Sequence, residues 1–273
     1  MPVISSINEL PPFHGGAFVP TMGALHEGHL ALIRRAAACP GPVLVSIFVN
    51  PTQFGPGEDY RRYPRPLEQD IASAEEAGAE IIFTPDVETM YPPEAPIPVP
   101  ALPEVARRPG LEDAHRPGHF AGVCQVVARL FDLLMPRFAV FGEKDYQQLL
   151  VLQAMVEREA ARWPGLEIIA HETIREDDGL AMSSRNAYLT VEQRERALGL
   201  SGALRAARRA DDPSSAERIM QQTLADHGLE TDYAVVRDAQ TLMPVDSYAR
   251  PARGLIAARV GDVRLIDNMA MPH

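Results

Sequence analysis

Short, almost wholly apolar segments alternate with amphipathic segments through the first two thirds of this 273-residue chain. Residues 43–49, for example, contain a single serine among apolar side chains, a composition typical of a strand buried on both faces of a sheet. Buried strands that alternate with helices predict a parallel sheet covered by helices on both sides. The expected strands are residues 17–20, 43–49, 80–83, 138–141 and 166–169, and the expected helices are residues 27–38, 66–77, 120–134 and 145–161.

The pattern changes after about residue 173, where this regular alternation ends. Two segments of helical spacing precede a strand-like segment and a pair of apolar segments joined by Gly261 and Asp262, which suit the tight turn of a hairpin. The expected fold class is therefore α/β: a Rossmann-like doubly wound parallel sheet in residues 1–173, followed by a second, smaller α+β domain in residues 174–273. The segments behind the second domain are residues 190–209, 214–227, 233–236, 255–260 and 263–266.

The net charge limits the partners that the chain can take. It is −11, whereas a protein that binds nucleic acid presents a basic face to the phosphate backbone, so we expect no nucleic-acid partner. No apolar run approaches membrane-spanning length, and residues 1–6 lack the basic start and apolar core of a signal peptide. We therefore expect no membrane association and a cytoplasmic location. The cysteines, Cys39 and Cys124, lie in apolar helical contexts and are expected to be buried free thiols.

The segment after the first predicted strand carries two histidines, His26 and His29, at the start of the first predicted helix. Residues three apart share one side of a helical turn, so the two rings can point the same way. The unpaired N–H groups of that turn attract anions, and Gly23 and Gly28 leave the backbone open to a phosphate. The segment therefore predicts polyphosphate binding and the stabilisation of charge that shifts between phosphate oxygens.

Two other interpretations of the histidine pair exist. The rings can be solvated surface side chains near a helix start. A zinc site is the second alternative, but the zinc helix of metalloproteases spaces its histidines four apart and adds a third ligand. Here the spacing is three, and no cluster of Cys and His supplies further ligands, which argues against zinc.

Other unusual polar residues also follow predicted strands. Gln53 comes after the second strand, and Lys144, Asp145 and Gln148 come after the strand at 138–141. Ligands of parallel sheets bind at the carboxyl ends of the strands, so these side chains are expected to meet. Lys144 suits a phosphate and Asp145 a ribose hydroxyl, and the two glutamine amides suit a small hydroxy acid. A solvated charge run and ordinary loop glutamines are the alternatives.

Ser183, Ser184 and Arg185 place two hydroxyls beside a guanidinium at the junction of the two predicted domains. Short hydroxyl donors and an arginine fork make a compact grip for an anion. Serine also caps helices, so a capping turn is the alternative. The position at the junction favours a loop that closes over a phosphate. Arg116, which precedes the long helix, either meets a carboxylate or caps a neighbouring element.

With these residues assembled, the chain resembles the pantoate–β-alanine ligases, within the wider group of nucleotidylyltransferases that share a His-x-Gly-His signature. That signature also occurs in several adenylyl- and cytidylyltransferases and in one class of aminoacyl-tRNA synthetases, whereas the segments around Gln53 and Lys144 are far more specific. The family usually has a longer, commonly helical stretch where this chain has only residues 4–16 before the first strand. The matching segments are residues 20–29, 48–54, 116–120, 141–148, 182–186, 232–233 and 265–268.

The resemblance implies an ATP-dependent ligase with a two-step reaction. The carboxylate of pantoate attacks the α-phosphate of ATP and gives pantoyl-adenylate and pyrophosphate. The amine of β-alanine then attacks the activated carbonyl and releases pantothenate and AMP. The catalytic residues so implied are His26, His29 and Lys144, with His29 as proton donor to the departing pyrophosphate. Alternatives are another nucleotidylyltransferase that acts on a different small acceptor, and a nucleotide-binding module without turnover.

The same resemblance implies where the substrates bind. Gln53 and Gln148 hold pantoate, and Gln53 also meets β-alanine. Mg²⁺ is expected to bridge the phosphates, mostly through water and the ligand, with no protein ligand identified. Members of the family are usually homodimers, and the smaller domain is expected to act as a lid. The implied ATP-binding residues are Met22, Gly23, Ala24, Leu25, His26, Glu27, Gly28, His29, Gly142, Glu143, Lys144, Asp145, Ile174, Met182, Ser183, Ser184 and Arg185.

Overall fold

Six strands of the N-terminal part form one sheet in the computed structural model, which describes residues 1–10, 13 and 15–272. The strands are β1 (Val3–Ile4), β2 (Ala17–Thr21), β3 (Val43–Ile47), β4 (Ile81–Phe83), β5 (Phe138–Gly142) and β6 (Glu167–His171). They lie in the order β1-β4-β3-β2-β5-β6, and every neighbouring pair is parallel. Strand addition changes direction after β4, so β2 and β5 flank the switch point at which sheets of this kind bind ligands.

Alternate residues of a strand point to opposite faces of the sheet. Both faces of this sheet are apolar, and helices cover both of them. On one face, Phe18 of β2 makes an edge-on contact with Phe131, with 6.3 Å between the ring centroids. On the other face, Val19 belongs to a buried cluster with Ile33 and Ala74. Burying each large apolar side chain contributes about 1.5–3 kcal/mol to stability. The helices are α1 (Glu27–Ala37), α2 (Leu67–Glu76), α3 (Val87–Met90), α4 (Glu112–His115), α5 (His119–Leu134) and α6 (Tyr146–Arg158).

A smaller antiparallel sheet of three strands forms the core of the C-terminal part. Its middle strand supplies Ile256, which is buried with Leu204 and Met220 of two helices. Gly261, with φ of +59°, and Asp262 form the turn of the last hairpin, as predicted. The elements are α7 (Val191–Ala207), α8 (Pro213–Asp226), β7 (Glu230–Asp238), β8 (Ala252–Val260) and β9 (Val263–Ala270). The expected α/β fold with a smaller α+β part is thus confirmed.

The chain packs as two compact units whose boundary is crossed several times. The first unit consists of residues Met1–Arg107, Glu112–Glu143 and Gln148–Glu172, and the second consists of residues Arg108–Leu111, Lys144–Gln147 and Thr173–His273. Two short segments from the N-terminal part therefore belong to the second unit. In the part of the chain that the structure describes, no helix is both long enough and apolar enough to cross a membrane.

The structure departs from the sequence-based expectations in several details: the short helices α3 and α4 and the strand β1 were not expected, and one expectation about the thiols is wrong. Strand β1 was not expected, because two residues are too few to show a periodic pattern, yet it pairs with β4. The expectation of two buried thiols is wrong for Cys39, which follows the end of α1 and is only partly buried. Cys124 is buried, and burial raises the pKa of its thiol to about 12.

Candidate active site

Two of the predicted site segments leave the same edge of the sheet side by side. Strand β2 ends at Thr21, just before the loop 22–25 and helix α1, and Gln53 lies in a short 3-10 turn after β3. Strands β2 and β3 are neighbours in the sheet. Gln53 Nε2 donates a hydrogen bond to Met22 Sδ at 3.2 Å. The first unit therefore brings the histidine segment and Gln53 together.

A buried carboxylate shapes the loop between β2 and α1. Gly23 has φ of +80° and Ala24 has φ of +50°, a region that costs a residue with a side chain about 1–2 kcal/mol. Asp70 of α2 holds this shape, because its Oδ2 accepts the Ala24 N–H at 2.8 Å and its Oδ1 accepts the Leu25 N–H at 2.7 Å. Burial raises the pKa of Asp70, and the two backbone hydrogen bonds offset only part of that rise. The sequence did not indicate Asp70, because nothing local marks this carboxylate as a buried residue of its helix.

Helix α1 begins with a capping box made of the two histidines. His26 is the N-cap, and its Nδ1 accepts the Gly28 N–H at 3.1 Å. His29 Nδ1 in turn accepts the His26 N–H at 3.3 Å, and the ring centroids are 4.1 Å apart. The rings thus satisfy N–H groups that a helix start otherwise leaves without a partner. The Gly28 N–H is thus engaged by an imidazole and not open to an anion.

The capping contacts also determine where each imidazole carries its proton. A ring nitrogen that accepts a hydrogen bond has no proton, so both neutral rings are assigned the Nε2–H tautomer. Two neighbouring N–H donors suit the oxygens of a phosphate chain. Glu27, between the histidines, instead pairs with Arg34 along the exposed side of α1, and this hydrogen bond lowers the pKa of Glu27.

Asn50 fixes the turn that carries Gln53. Asn50 is 1% exposed, and its Nδ2 donates to Gln53 Oε1 at 3.0 Å and to Gly122 O at 3.2 Å. Its Oδ1 accepts the Tyr91 hydroxyl at 2.8 Å. Since Gln53 Oε1 is an acceptor here, its Nε2 is defined as the donor end of the amide. Helix α5 packs so close to the turn that a Cβ on Gly122 would lie 2.3 Å from Thr52 O.

A charged network, partly buried at Arg116 and Glu58 and buried at His119, holds the backbone of the same turn. His119 Nδ1 donates to Gln53 O at 2.9 Å, and its Nε2 lies 3.1 Å from a nitrogen of Arg116. Arg116 binds Glu58 through two hydrogen bonds of 2.9 and 2.7 Å, so it meets a carboxylate of the chain itself. Burial, helped by the charge of Arg116, lowers the pKa of His119 to about 4. Burial alone would raise the pKa of Glu58, but the hydrogen bonds and charge of Arg116 outweigh it and the pKa is lowered.

The segment Gly142–Asp145, which begins at the last residue of β5, is divided between the two units. Gly142 and Glu143 belong to the first unit, whereas Lys144 and Asp145 belong to the second. Lys144 Nζ lies 3.6 Å from Asp145 Oδ2. Gln148, in α6, returns to the first unit and is partly buried. The sequence alone did not indicate that Lys144 packs with the C-terminal sheet.

Residues 174–185 form a folded-back loop in the second unit. The Met182 N–H donates to Ile174 O at 3.0 Å, which closes the loop just before the two serines. Ser183 caps the following 3-10 turn, and its Oγ accepts the Arg185 N–H at 3.3 Å. The capping role is thus present in the structure. A hydroxyl that accepts an N–H keeps its own proton, so Ser183 can cap the turn and also donate to a phosphate oxygen.

The second unit therefore brings together Lys144, Asp145 and the 174–185 loop, and the first unit brings together the histidine segment and the turn of Gln53. Among residues 1–10, 13 and 15–272, no group of three or more His, Cys, Asp or Glu side chains is arranged to hold a metal ion. The candidate site residues offer imidazole, ammonium, hydroxyl and amide groups as donors. Such donors suit phosphate and carboxylate oxygens.

Comparison with known sequences gives a match over almost the whole chain. The sequence profile of the family described as pantoate-beta-alanine ligase matches residues 11–270. The chain is 46% identical to the pantothenate synthetase of Thermus thermophilus over 283 aligned positions, which cover 98% of this chain and 99% of that protein. It is 50% identical to the pantothenate synthetase of Rubrobacter xylanophilus, with 93% of this chain and 90% of that protein covered.

Solved structures give the same result. The crystal structure of pantothenate synthetase from Thermus thermophilus superimposes with a TM-score of 0.91 at 45% identity, covering 98% of this chain and 99% of that one. The crystal structure of pantoate-beta-alanine ligase from Francisella tularensis, complexed with beta-gamma ATP and beta-alanine, has a TM-score of 0.78 at 33% identity. That likeness covers 98% of this chain and 97% of the other. Both structural matches therefore include the two compact units of this chain.

Proposed function

The chain belongs to the pantoate–β-alanine ligase family, and from that premise we infer that it joins pantoate to β-alanine with ATP, releasing AMP and pyrophosphate. One observation carries this inference. The family match spans residues 11–270, so it includes the widely shared His26–His29 signature and also the more specific segments around Gln53 and Lys144. The alternative of a nucleotidylyltransferase with a different acceptor is not favoured, because the relatives from Thermus thermophilus and Rubrobacter xylanophilus, which match over at least 90% of both chains, are pantothenate synthetases.

In the first step, a carboxylate oxygen of pantoate attacks the α-phosphorus of ATP. The bond from that phosphorus to the bridging oxygen breaks, and pyrophosphate leaves. We propose that the Nε2–H groups of His26 and His29 bind phosphate oxygens whose charge rises during this step. The family resemblance implies that His29 is the proton donor to the leaving pyrophosphate. To carry a second proton its ring would give up the Nδ1 contact with the His26 N–H, so hydrogen-bond donation from Nε2 is the role that the capping geometry supports.

The remaining ATP contacts are proposed for residues in both units. In the first unit they are proposed for Met22 to Leu25, Glu27 and Gly28, which lie next to the histidines in the chain, for Gly142 at the end of β5 and for Glu143, which follows it. In the second unit, the Lys144 ammonium would neutralise phosphate charge and the Asp145 carboxylate would accept a ribose hydroxyl. Other contacts in that unit are proposed for the Ile174 backbone, for Met182, and for the hydroxyls and guanidinium of Ser183, Ser184 and Arg185.

Gln53 and Gln148 are proposed to bind pantoate. The Gln53 amide is oriented by Asn50, so it offers a defined donor to a hydroxyl or carboxylate oxygen. Gln53 is also proposed to contact β-alanine in the second step. There the amine nitrogen attacks the acyl carbon of the adenylate, the carbon–oxygen bond to AMP breaks, and the nitrogen loses a proton to solvent or to a nearby base.

Mg²⁺ is proposed to enter with ATP as a companion of its phosphates. Such an ion would be held mostly by phosphate oxygens and water. We further propose that residues 1–173 bind nucleotide and pantoate, that residues 174–273 act as a lid, and that the protein is a cytoplasmic homodimer.

Incubation with ATP, pantoate and β-alanine tests the function directly. We expect AMP release that requires both pantoate and β-alanine, and pyrophosphate release that requires pantoate alone. Pyrophosphate release with another alcohol or phosphate acceptor, and none with pantoate, would establish the nucleotidylyltransferase alternative instead. The variant Lys144→Ala should retain the fold and lose adenylate formation by about 10²-fold or more.

A further inference from the structure

Strand β9 holds Lys144 through its backbone. Asn268 of β9 is 3% exposed, and its Nδ2 donates a hydrogen bond to Lys144 O at 2.8 Å. Lys144 is the first residue of the segment Lys144–Gln147, which packs in the second unit although the chain on both sides belongs to the first. The contact therefore fixes the peptide from which the lysine side chain projects, at the point where the chain enters the second unit.

Further contacts fix the orientation of Asn268 and the rest of the segment. Arg253 of β8 donates its Nε–H to Asn268 Oδ1 at 2.6 Å, so both ends of the Asn268 amide have defined partners. The Arg253 guanidinium also lies 3.8 Å from the centroid of the Tyr146 ring, a cation–π contact. The Tyr146 hydroxyl donates to Ala239 O at 2.8 Å. The segment is thus held at Lys144 and at Tyr146.

The neighbour of Asn268 holds the second proposed phosphate-binding loop. Asp267 is 3% exposed and accepts two hydrogen bonds of 2.8 Å from Arg175. The Arg175 side chain also donates to Gly179 O at 3.2 Å. The Arg175 backbone forms an antiparallel β-bridge with Ala181, two residues before Ser183. Asp267 and Asn268 are adjacent in β9, so neighbouring residues of one strand anchor the Lys144–Gln147 segment and the 174–185 loop.

We propose that Asn268 is a positioning residue for adenylate formation. Together with Asp267 it holds the backbone of Lys144 and the loop that carries the Ser183–Arg185 turn in fixed relation within the second unit, so that the lysine and the turn act on one triphosphate. This proposal rests on the proposed function. Asn268 acts through Lys144 and does not itself bind substrate. Misplacing a catalytic group by about 1 Å can lower a rate by roughly 10²-fold, so loss of the anchor has a measurable effect.

The test is a double-mutant cycle on pyrophosphate release. We expect Asn268→Ala to lower kcat by about 10-fold or more while KM for pantoate changes little, because the lost interaction acts in the transition state. In a Lys144→Ala background the same substitution should lower kcat by less than about 3-fold, since the group through which it acts is gone. Losses that multiply in the double variant would show that Asn268 acts independently of Lys144 and would overturn the proposal.

Two further variants separate positioning from stability. Asn268→Asp keeps an oxygen for Arg253 and removes the donor to Lys144 O, so we expect a fall in kcat like that of Asn268→Ala. Wild-type kcat in this variant would overturn the proposal, even if Asn268→Ala fails to fold. Arg264 also lies in β9, and its Nε–H donates to Asp232 of β7 at 2.7 Å. The variant Arg264→Ala removes this contact and should keep kcat within about 2-fold. A comparable fall in kcat in Arg264→Ala would also overturn it, because damage to β9 alone would suffice.

The wild-type assay distinguishes the two levels of inference. If wild-type protein releases no pyrophosphate with pantoate and ATP, the proposed function fails before any variant is examined. If wild-type protein turns over and the losses in the cycle multiply, the positioning role alone fails.

Discussion

The carboxylate of Asp70 accepts the backbone N–H of Leu25 at 2.7 Å and so ties helix α2 to the loop after β2. Its second oxygen accepts the neighbouring N–H of Ala24 at 2.8 Å. The left-handed backbone at Gly23 and Ala24 thus depends on a side chain from another element. This contact sets the position at which helix α1, capped by His26, begins.

Replacing Asp70 by asparagine should impair both stability and catalysis. The amide has only one oxygen, so one loop N–H faces an NH₂ group and loses its acceptor, which costs about 1–3 kcal/mol. We expect a lower midpoint of thermal unfolding and a rate of pyrophosphate release lower by about 10-fold or more. Asp86→Asn is the matched control, because Asp86 is an exposed N-cap of α3 and asparagine caps equally well. A wild-type rate in Asp70→Asn would show that the loop does not need its second acceptor.

Substitutions of His29 separate its capping contact from its donor. Asparagine places its oxygen near the Nδ1 position and keeps an acceptor for the His26 N–H, whereas glutamine reaches toward the Nε2 position and supplies a donor there. We expect His29→Asn and His29→Ala to fold and to lose adenylate formation by about 10²–10³-fold, and His29→Gln to retain more activity than either.

Pyrophosphate release and thermal unfolding measure the two effects separately. Equal rates in His29→Asn and His29→Gln would contradict the role of the Nε2 donor. Unchanged release in His29→Ala would count against any catalytic role for the residue.

The substitution Gly122→Ala should distort the turn that carries Gln53. The new Cβ would lie 2.3 Å from Thr52 O and 2.6 Å from Gln53 N, both backbone atoms that cannot turn aside. We expect a loss of stability of about 1–3 kcal/mol, as for other overpacked sites, and a raised KM for pantoate. Denaturant unfolding and steady-state kinetics measure these effects.

Gly202→Ala provides the control, because Gly202 is also inside a helix and its added Cβ meets nothing within 4 Å. This variant should keep its activity and gain up to about 1 kcal/mol, because alanine is the better helix former. Equal behaviour of the two variants would mean that the close approach at Gly122 has no consequence.

His119 should make the fold less stable as the pH falls below neutrality. Its pKa is lowered on folding to about 4 from an ordinary value of 6.5. The unfolded state therefore binds a proton first, so the stabilisation is present above about pH 6.5 and is lost as the pH falls toward 4. Between pH 7 and pH 5 this single group should lower the free energy of unfolding by about 2 kcal/mol.

Urea unfolding of wild type and His119→Asn at both pH values measures this contribution. Asparagine can still donate to Gln53 O but does not titrate, so its pH dependence should be smaller by that amount. The pKa of Glu58 is lowered, so its contribution is lost only below about pH 4.5, outside this window. Parallel pH dependence in the two proteins would contradict the buried neutral state of His119.

Local pattern predicted the main sheet because a strand buried on both faces consists almost wholly of apolar residues. Strands β2, β3 and β5 are such segments, and each lies within or beside its expected range. Strand β1, with two residues, carries no such signal and forms only because β4 offers an edge. The histidines were predicted at a helix start because an apolar strand precedes them and an amphipathic segment follows, and the structure adds that their rings close a capping box.

The sequence by itself determined the α/β class, the helix start at His26 and the placement of polar residues after strands. These follow from periodicity and spacing, which act over a few residues. The tertiary structure decided that Asp70 shapes the phosphate loop and that Asn268 holds Lys144, a residue 124 positions away. A hydrogen-bond partner depends on which distant segments pack together, and no local pattern of apolar and polar residues records that choice.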